Sequence, residues 1–389
     1  MKFKRIFLLV LDSLGVGEAR DANMYHDEGA NTLKAIKEHY DLYIPNFEKL
    51  GLLNTLTLND EDKECEAYYT IARPNNAGKD SLSGHYEILG IPLKEAYKSF
   101  DNQGFSADLI QNIEALSGLR IIGNKSASPE AMLEEYGKSA ATYGSVIIYA
   151  GEDSTLQLSA HEDVIPLPNQ LLLAQKIRKL TDLNPMWRVS RVIVRPFTGK
   201  EKLRFTSDRV DLAIDPPLPN LLTKLKDKNL DVISIGKISD LVNGEGITKI
   251  VKAGKKNSVA VNKLTAIMEK DFNGLCMVNF DDFDNYGHSR DVSSYGSALE
   301  ELDVEVPMIL NRLKPDDLLI ITADHGADPM KEGKNHTREN VPLLIYSRIF
   351  KENKRLDISE SLADIAATIA DNFEVDMPSI GTSLLDKLN

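Results

Sequence analysis

In Phe7-Leu8-Leu9-Val10-Leu11-Asp12-Ser13-Leu14-Gly15-Val16-Gly17, five apolar residues run straight into an aspartate and a turn built on two glycines. A short apolar run without polar alternation is the pattern of a strand buried on both faces, as in a parallel sheet covered by helices. The same pattern, seen first over Ile6–Leu11, returns at Val146–Tyr149, Val189–Val194, Val232–Ile235, Leu275–Phe280, Leu318–Ala323 and Leu343–Tyr346. Helical spacing of apolar residues marks Phe105–Leu116, Pro216–Lys226, Ser294–Leu313 and Ser359–Asn372, the last with Ser359 as its expected N-cap. Strand–helix alternation predicts an α/β fold with a mostly parallel sheet covered by helices.

The middle of the chain reads differently. Between residues 96 and 216 the strands are broken by Pro166, Pro168, Pro185 and Pro196, and Asp215-Pro216-Pro217 closes the segment as a stiff connector. The expectation is an α/β core made of residues 1–95 and 217–389, with residues 96–216 inserted as a smaller α+β domain.

A chain of 389 residues should hold two or three domains at ~100–200 residues each. With 42% hydrophobic and 27% charged residues it is globular rather than disordered. No apolar run reaches the ~18 residues of a spanning helix, so no membrane association is expected. The net charge of −13 argues against nonspecific nucleic-acid binding and leaves carboxylates available for metal sites. Met1-Lys2-Phe3-Lys4-Arg5 begins like a signal peptide, but Asp12 interrupts at once and no small-residue cleavage site follows. Cys65 and Cys276 can build neither a disulfide framework nor a thiolate zinc site and read as small buried hydrophobes. A cytoplasmic protein with no protein partner is expected.

In open α/β sheets, ligands bind beyond the carboxyl ends of the strands. Asp12 follows the first strand. Asp281, Asp282, Asp284 and His288 follow Leu275–Phe280. Asp324 and His325 follow Leu318–Ala323, with His336 eleven residues further on. Three of the chain's seven histidines lie in the last two of these segments. An aspartate after a strand is commonly a turn former or helix cap, and a single histidine is commonly a core residue. It is the joint pattern that points to metal. Carboxylates and imidazoles without thiolate suit Mn²⁺, Zn²⁺ or Mg²⁺. Six such ligands exceed the needs of one tetrahedral ion, so two ions are expected, as in two-metal phosphoryl transfer. The four-residue step from Asp284 to His288 suits one helical turn.

Asn76-Ala77-Gly78-Lys79-Asp80-Ser81-Leu82-Ser83-Gly84-His85 is small and glycine-flanked, and a helix is expected over Leu82–Leu89. Ser81 at its start is either a nucleophile, activated by metal and favoured by the helix N-terminus, or a plain N-cap. His85, four residues on, is either a partner of the ligands or a core histidine. Trp187 reads as core. Gly15-Val16-Gly17 lacks the third glycine of a dinucleotide fingerprint.

Taken together, the segments Phe7 to Ala19, Gly78-Lys79-Asp80-Ser81-Leu82-Ser83-Gly84-His85-Tyr86-Glu87, Ile121-Ile122-Gly123-Asn124-Lys125, Ile235-Gly236-Lys237-Ile238-Ser239-Asp240, Gly244-Glu245-Gly246, Thr322-Ala323-Asp324-His325-Gly326 and His336-Thr337-Arg338-Glu339-Asn340-Val341-Pro342-Leu343-Leu344 resemble the prokaryotic phosphopentomutases of the alkaline phosphatase superfamily. Thr-Ala-Asp-His-Gly alone would mark only the superfamily; the Gly-Lys-Asp-Ser, Gly-Lys-Ile-Ser-Asp and His-Thr-Arg-Glu segments are more specific. The resemblance runs from the first strand to the last.

It implies an alkaline-phosphatase-like core and a reversible shift of phosphate between C1 and C5 of ribose or 2-deoxyribose. It also implies two Mn²⁺ ions, a phosphorylated enzyme primed by a sugar 1,6- or 1,5-bisphosphate, and pentose phosphates as substrates. Carried over by position, Asp12, Ser81, Asp324 and His325 would hold one ion and Asp284, His288 and His336 the other, with Ser81 carrying the phosphoryl group. Asp153, Arg191, Arg204 and Lys237 would bind substrate. This chain departs from the family in four places. Serine replaces the usual threonine nucleophile, and the aspartate-to-Gly-His spacing is one residue short, leaving Asp282 as a rival to Asp284. Gly151 stands where a substrate serine falls, and Arg204 is out of register by one. Serine and the short spacing resemble the cofactor-independent phosphoglycerate mutases, so a related phosphomutase or a metal-dependent phosphatase on the same core is the alternative. A metal-stabilised binding protein without catalysis would have lost a ligand or the nucleophile; here every such position is filled.

Overall fold

The computed structural model describes the chain apart from residues 1, 59–63, 99, 101–103, 152–153 and 255. It comprises two compact units, Met1–Ala96 with Pro216–Asn389, and Tyr97–Asp215.

The first unit is built on a seven-stranded sheet. Its order is Lys249–Val251, Asp231–Ile235, Gly274–Phe280, Arg5–Leu11, Asp317–Thr322, Val341–Tyr346 and Tyr68–Ala72. The first five are mutually parallel, Val341–Tyr346 is antiparallel to its neighbours, and Tyr68–Ala72 thus runs with the majority. Arg5–Leu11 lies at the centre, and all seven of its residues are buried. Each such Leu, Ile, Val or Phe contributes ~1.5–3 kcal/mol on leaving water, which is why the unalternating apolar runs are strands here. Arg5 is the exception. It pairs in register with Asp317 on the next strand, and its Nε and Nη2 donate to that carboxylate at 2.7 and 2.5 Å while Nη1 reaches the Met268 and Lys270 carbonyls.

This topology gathers the functional segments at one edge. The parallel strands deliver Asp12, Asp281 and Asp324 at their carboxyl ends. Tyr68–Ala72 ends at the same edge and leads into the loop before Ser81. Because Val341–Tyr346 is antiparallel, the segment before it, with His336, also begins there.

The expected helices form with shifted ends: Ala107–Ser117, Leu221–Asp227, Val292–Arg312 and Ala363–Asn372. Residues 216–220 stay out of the Leu221 helix because Asn220 forms a capping box with Thr223. Ser359 does not cap the last helix. It bridges to Ala72 at the sheet edge, and its hydroxyl donates to Asp364 at 2.6 Å inside the first turn.

The second unit is a five-stranded mixed sheet ordered Ile121–Ser126, Val146–Gly151, Thr155–Ser159, Arg191–Val194 and Val210–Ala213. Helices Ala107–Ser117 and Leu167–Leu183 cover one face, where Trp187 packs against the core. Pro129–Tyr143 covers part of the other around Tyr149 and Phe197. The strands other than Val146–Gly151 and Arg191–Val194 escape a reading by apolar runs because polar residues such as Asn124, Gln157 and Asp211 interrupt them. Among the described residues no helix is long and apolar enough to cross a membrane. Cys276 is buried, and burial pushes its thiol up to about 12; Cys65 is only half-buried, its Sγ facing the Ala67 carbonyl.

Candidate active site

Two ligand groups form at the carboxyl edge of the first unit. In one, Asp12, Asp324 and His325 bring ligand atoms within 4.8 Å of one another; in the other, Asp284, His288 and His336 do the same. The groups adjoin, because the His325 and His336 rings stack with centroids 3.7 Å apart. Asp12 caps no helix. Ser13 after it takes a left-handed φ of 70°, which turns its N–H onto Asp324 Oδ1 at 3.2 Å.

The proton positions fit metal ligation. His288 Nδ1 faces the Lys334 carbonyl at 2.7 Å, His336 Nδ1 the Lys79 carbonyl at 3.0 Å and His325 Nδ1 the Gly326 carbonyl at 3.2 Å. A carbonyl only accepts, so each Nδ1 carries a hydrogen and Nε2 is the ring nitrogen left for a metal to take, the arrangement that orients metal-bound imidazoles. His336 Nε2 lies 3.0 Å from both His288 Nε2 and Asp284 Oδ1, a convergence that a positive ion stabilises. Asp12 Oδ1 is fully buried and accepts no hydrogen bond among the described residues. Carboxylate and imidazole donors of this kind suit borderline and hard divalent ions. The residues fit the group that the sequence implies.

The buried charges of the two groups shift one another. Burial, reinforced by Asp324, pushes the Asp12 carboxyl well above its ordinary range despite Lys237. Burial would also raise Asp284, but His288, His336 and Lys237 outweigh it and hold it well below. For Asp324 the opposing groups are His325 and His85. Burial depresses His325, yet Asp324 and Asp12 lift it to about 10.

Asp282 is not at this centre. Its carboxylate accepts the Asn257 N–H at 2.8 Å and its own N–H donates to Asn257 Oδ1 at 3.1 Å, tying two helix starts together. Asp284, one turn before His288 on the Asp282–Ser289 helix, is the carboxylate that faces the imidazoles.

Ser81 is the first residue of the Ser81–Ile88 helix, and the capping role falls to Asp80, whose side chain accepts from the Leu82 and Ser83 N–H groups. Its hydroxyl is thereby left to the site. Ser81 Oγ lies 3.2 Å from His325 Nε2 and 3.0 Å from Lys237 Nζ. Lys237 also contacts Asp12 directly. The helix can approach this closely because position 84 is glycine; a Cβ there would collide with the Asp324 carbonyl oxygen.

His85 is a partner of the ligands. Its Nδ1 lies 3.0 Å from Asp324 Oδ2 and 2.9 Å from the Ser81 carbonyl, and its Nε2 3.2 Å from Asn279 Oδ1. Asn279 in turn donates to Asp12 at 2.7 Å and to Asp281. Sequence reasoning gathers Asp281 with the carboxylates after its strand but gives it no role, and it does not assign Asn279 to the site. The available signal is an amide inside an otherwise apolar strand.

Of the other expected substrate residues, Lys237 lies beside Ser81. Asp153 falls outside the described residues. Arg191 is half-buried in the second unit, 3.7 Å from Asp211, a carboxylate it shares with Arg209 at 2.6 Å. Arg204 is exposed on a short hairpin strand. At Gly151, a side chain would collide with the Gln157 amide.

A family model described as the metalloenzyme superfamily matches residues 4–377. The chain belongs to the metalloenzyme superfamily. Similar solved structures of this superfamily member include a Leishmania mexicana phosphoglycerate mutase, at 14% identity and a TM-score of 0.49, covering 98% of this chain and 97% of that one. A Vibrio parahaemolyticus protein of the alkaline phosphatase superfamily matches at 13% identity and a TM-score of 0.47, covering 99% and 70%. A Pyrococcus horikoshii protein matches at 14% identity and a TM-score of 0.47, covering 96% and 98%. The metalloenzyme core is the α/β architecture expected, with a mostly parallel sheet flanked by helices.

Proposed function

We propose that this metalloenzyme is a phosphopentomutase, interconverting ribose 1-phosphate and ribose 5-phosphate, and the 2-deoxyribose forms, through a phosphoserine at Ser81. The observation that carries the reading is the placement of one uncapped hydroxyl at a helix N-terminus, 3.0 Å from an ammonium and 3.2 Å from an imidazole of the ligand groups. The pentose substrate comes from the motif resemblance. Asp12, Ser81, Asp324 and His325 would hold one Mn²⁺ and Asp284, His288 and His336 the other, other divalent ions being compatible with the same donors. Bound there, two ions supply positive charge to the transferring phosphoryl group and lower the pKa of the hydroxyl.

The chain's own groups supply the rest. A sugar hydroxyl attacks the phosphorus of phosphoserine-81, its proton passes to Ser81 Oγ as the P–Oγ bond breaks, and a sugar bisphosphate forms. The bisphosphate turns over, Ser81 Oγ attacks its other phosphate, the hydroxyl proton passes to the departing sugar oxygen, and the isomeric monophosphate leaves. Lys237 Nζ, at hydrogen-bonding distance from Oγ, stabilises the negative charge that develops on Oγ as the P–Oγ bond breaks and forms. The helix N-terminus favours the dianion on Ser81. The resemblance assigns recognition of the sugar phosphate to Lys237, Asp153, Arg191 and Arg204, guanidinium groups gripping phosphate bidentately. A sugar 1,5- or 1,6-bisphosphate would prime the enzyme. The protein is assigned to the cytoplasm, without nucleic-acid, membrane or protein partners.

The test is ³¹P NMR of the Mn²⁺-loaded protein with ribose 5-phosphate and a priming bisphosphate. Ribose 1-phosphate should accumulate to equilibrium. Inorganic phosphate released without ribose 1-phosphate would make the protein a phosphatase, and turnover of phosphoglycerate instead would make it a different mutase.

A further inference from the structure

Phosphoryl transfer through Ser81 requires its hydroxyl to stay in register with the ligand groups. These sit on segments far apart in sequence, and Ser81 comes after a loop, Pro74 to Asp80, with no regular structure of its own. Three carbonyls of this loop point at one side chain. Arg338 Nη1 donates to the Asn76 and Gly78 carbonyls at 2.9 and 2.6 Å, and Nη2 to the Pro74 carbonyl at 3.1 Å. Its Nε and the second Nη2 hydrogen go to the two oxygens of Asp21 at 2.9 and 3.0 Å. All five N–H donors of the guanidinium are thus used. The side chain is 3% exposed and lies 5.0 Å from the Tyr25 ring centroid.

Its surroundings are arranged in alternation. His336 and Arg338 both face the loop: His336 Nδ1 holds the Lys79 carbonyl, and Arg338 holds those of Pro74, Asn76 and Gly78. Thr337 and Glu339 face away, joined to each other at 2.6 Å, and Glu339 also accepts from the Thr32 N–H and hydroxyl. Asp27 closes the ring by accepting both the Arg338 N–H at 2.8 Å and Lys79 Nζ at 2.6 Å. On the loop's other side, Glu87 accepts the Asn75 and Asn76 N–H groups. The loop backbone is held between a buried cation on its carbonyls and a buried carboxylate on its amides.

We propose that Arg338 is a positioning residue for the nucleophile, clamping the Pro74–Gly78 carbonyls so that Ser81 Oγ is held in register with the ligand-bearing segment at His336. The proposal rests on the assignment of Ser81 as phosphoryl carrier. Only a planar fork satisfies this set. Lysine offers three donors as a point charge and cannot span three carbonyls and a carboxylate.

The experiment compares full-length, Mn²⁺-loaded wild type with Arg338→Lys and with the milder Asp21→Asn, which leaves the carbonyl contacts in place. Four quantities are read: Mn²⁺ affinity by calorimetry, amide hydrogen exchange over residues 74–83, kcat and KM, and the rate at which Ser81 gains phosphate from a sugar bisphosphate by intact-protein mass spectrometry. Arg338→Lys should lower kcat and the phosphorylation rate together by about 10²-fold, the scale of an ångström-sized misplacement. KM and Mn²⁺ affinity should stay within about threefold, and exchange over 74–83 should quicken. Asp21→Asn should shift the same quantities in the same direction by a smaller factor, and it carries the test if Arg338→Lys does not fold. Unchanged exchange and unchanged kcat in folded variants would overturn the clamp, as would a kcat loss matched by an equal loss of metal affinity. If wild type never labels Ser81, the mutase assignment fails instead, and exchange over 74–83 still decides whether the clamp exists.

Discussion

Exchanging Asp284 for asparagine should remove one of two metal ions, whereas the same exchange at Asp282 should remove none. Asp284 Oδ1 stands 3.0 Å from His336 Nε2 and 3.6 Å from His288 Nε2, so it supplies the negative charge of a three-ligand group. Removing one partner from a buried charge set costs about 3–5 kcal/mol, which corresponds to about 10²- to 10⁴-fold in affinity for the ion it holds. Asp282 instead exchanges hydrogen bonds with Asn257 at 2.8 and 3.1 Å. Asparagine keeps an acceptor there, and the loss should resemble that of a weakened helix cap, about 1 kcal/mol or less. Calorimetric titration with Mn²⁺ reads both. Wild type and Asp282→Asn should bind two ions per chain, and Asp284→Asn one tightly. Loss of an ion from Asp282→Asn with retention of both by Asp284→Asn would refute the assignment of the second ligand group.

Ser81→Ala should abolish phosphate incorporation and lower turnover by at least about 10³-fold, with Mn²⁺ still bound through the carboxylates and imidazoles; mass spectrometry after bisphosphate treatment checks it. Glu339, which burial pushes up to about 7, gives a stability that depends on pH. The folded chain holds this proton more tightly than the unfolded one, so its contribution is present below about 4.5 and is lost as pH rises through 7, about 3 kcal/mol in all. Glu339→Gln stays neutral, and its stability relative to wild type should therefore improve between pH 4.5 and 8 in urea unfolding of chelator-treated protein; a difference independent of pH would contradict this. Gly84→Ala drives a methyl into the Asp324 carbonyl and should cost about 1–3 kcal/mol, lowering both the melting temperature and Mn²⁺ affinity.

The central sheet is readable because strands buried on both faces are written as continuous apolar runs, and its carboxyl edge can be placed from the aspartates that terminate those runs. Edge strands are not: Tyr68–Ala72 opens with two tyrosines and Lys249–Val251 is three residues opening with a lysine, and each pairs with a single strand of the sheet. The aspartates and histidines of the ligand groups can be gathered by residue type, yet Asp282 and Asp284 cannot be separated. Both come after the same strand, and only the turn of the Asp282–Ser289 helix decides which carboxylate faces the imidazoles. Ser359 illustrates the opposite failure. A serine before a helical run has the right local chemistry for a cap, but the sheet edge at Ala72 claims its backbone first. The roles of Asn279 and Arg338 depend on partners some 260 residues away, Asp12 for one and the Pro74–Gly78 carbonyls for the other, and no local pattern announces such contacts.

Anomalous diffraction from crystals grown with Mn²⁺ tests the dinuclear centre most directly. Two peaks per chain are expected about 3.5–4 Å apart, one bound by Asp12, Asp324 and His325 and the other by Asp284, His288 and His336, with Ser81 Oγ within reach of the first. A single peak, or ions held by Asp281 or Asp282 away from the imidazoles, would contradict it.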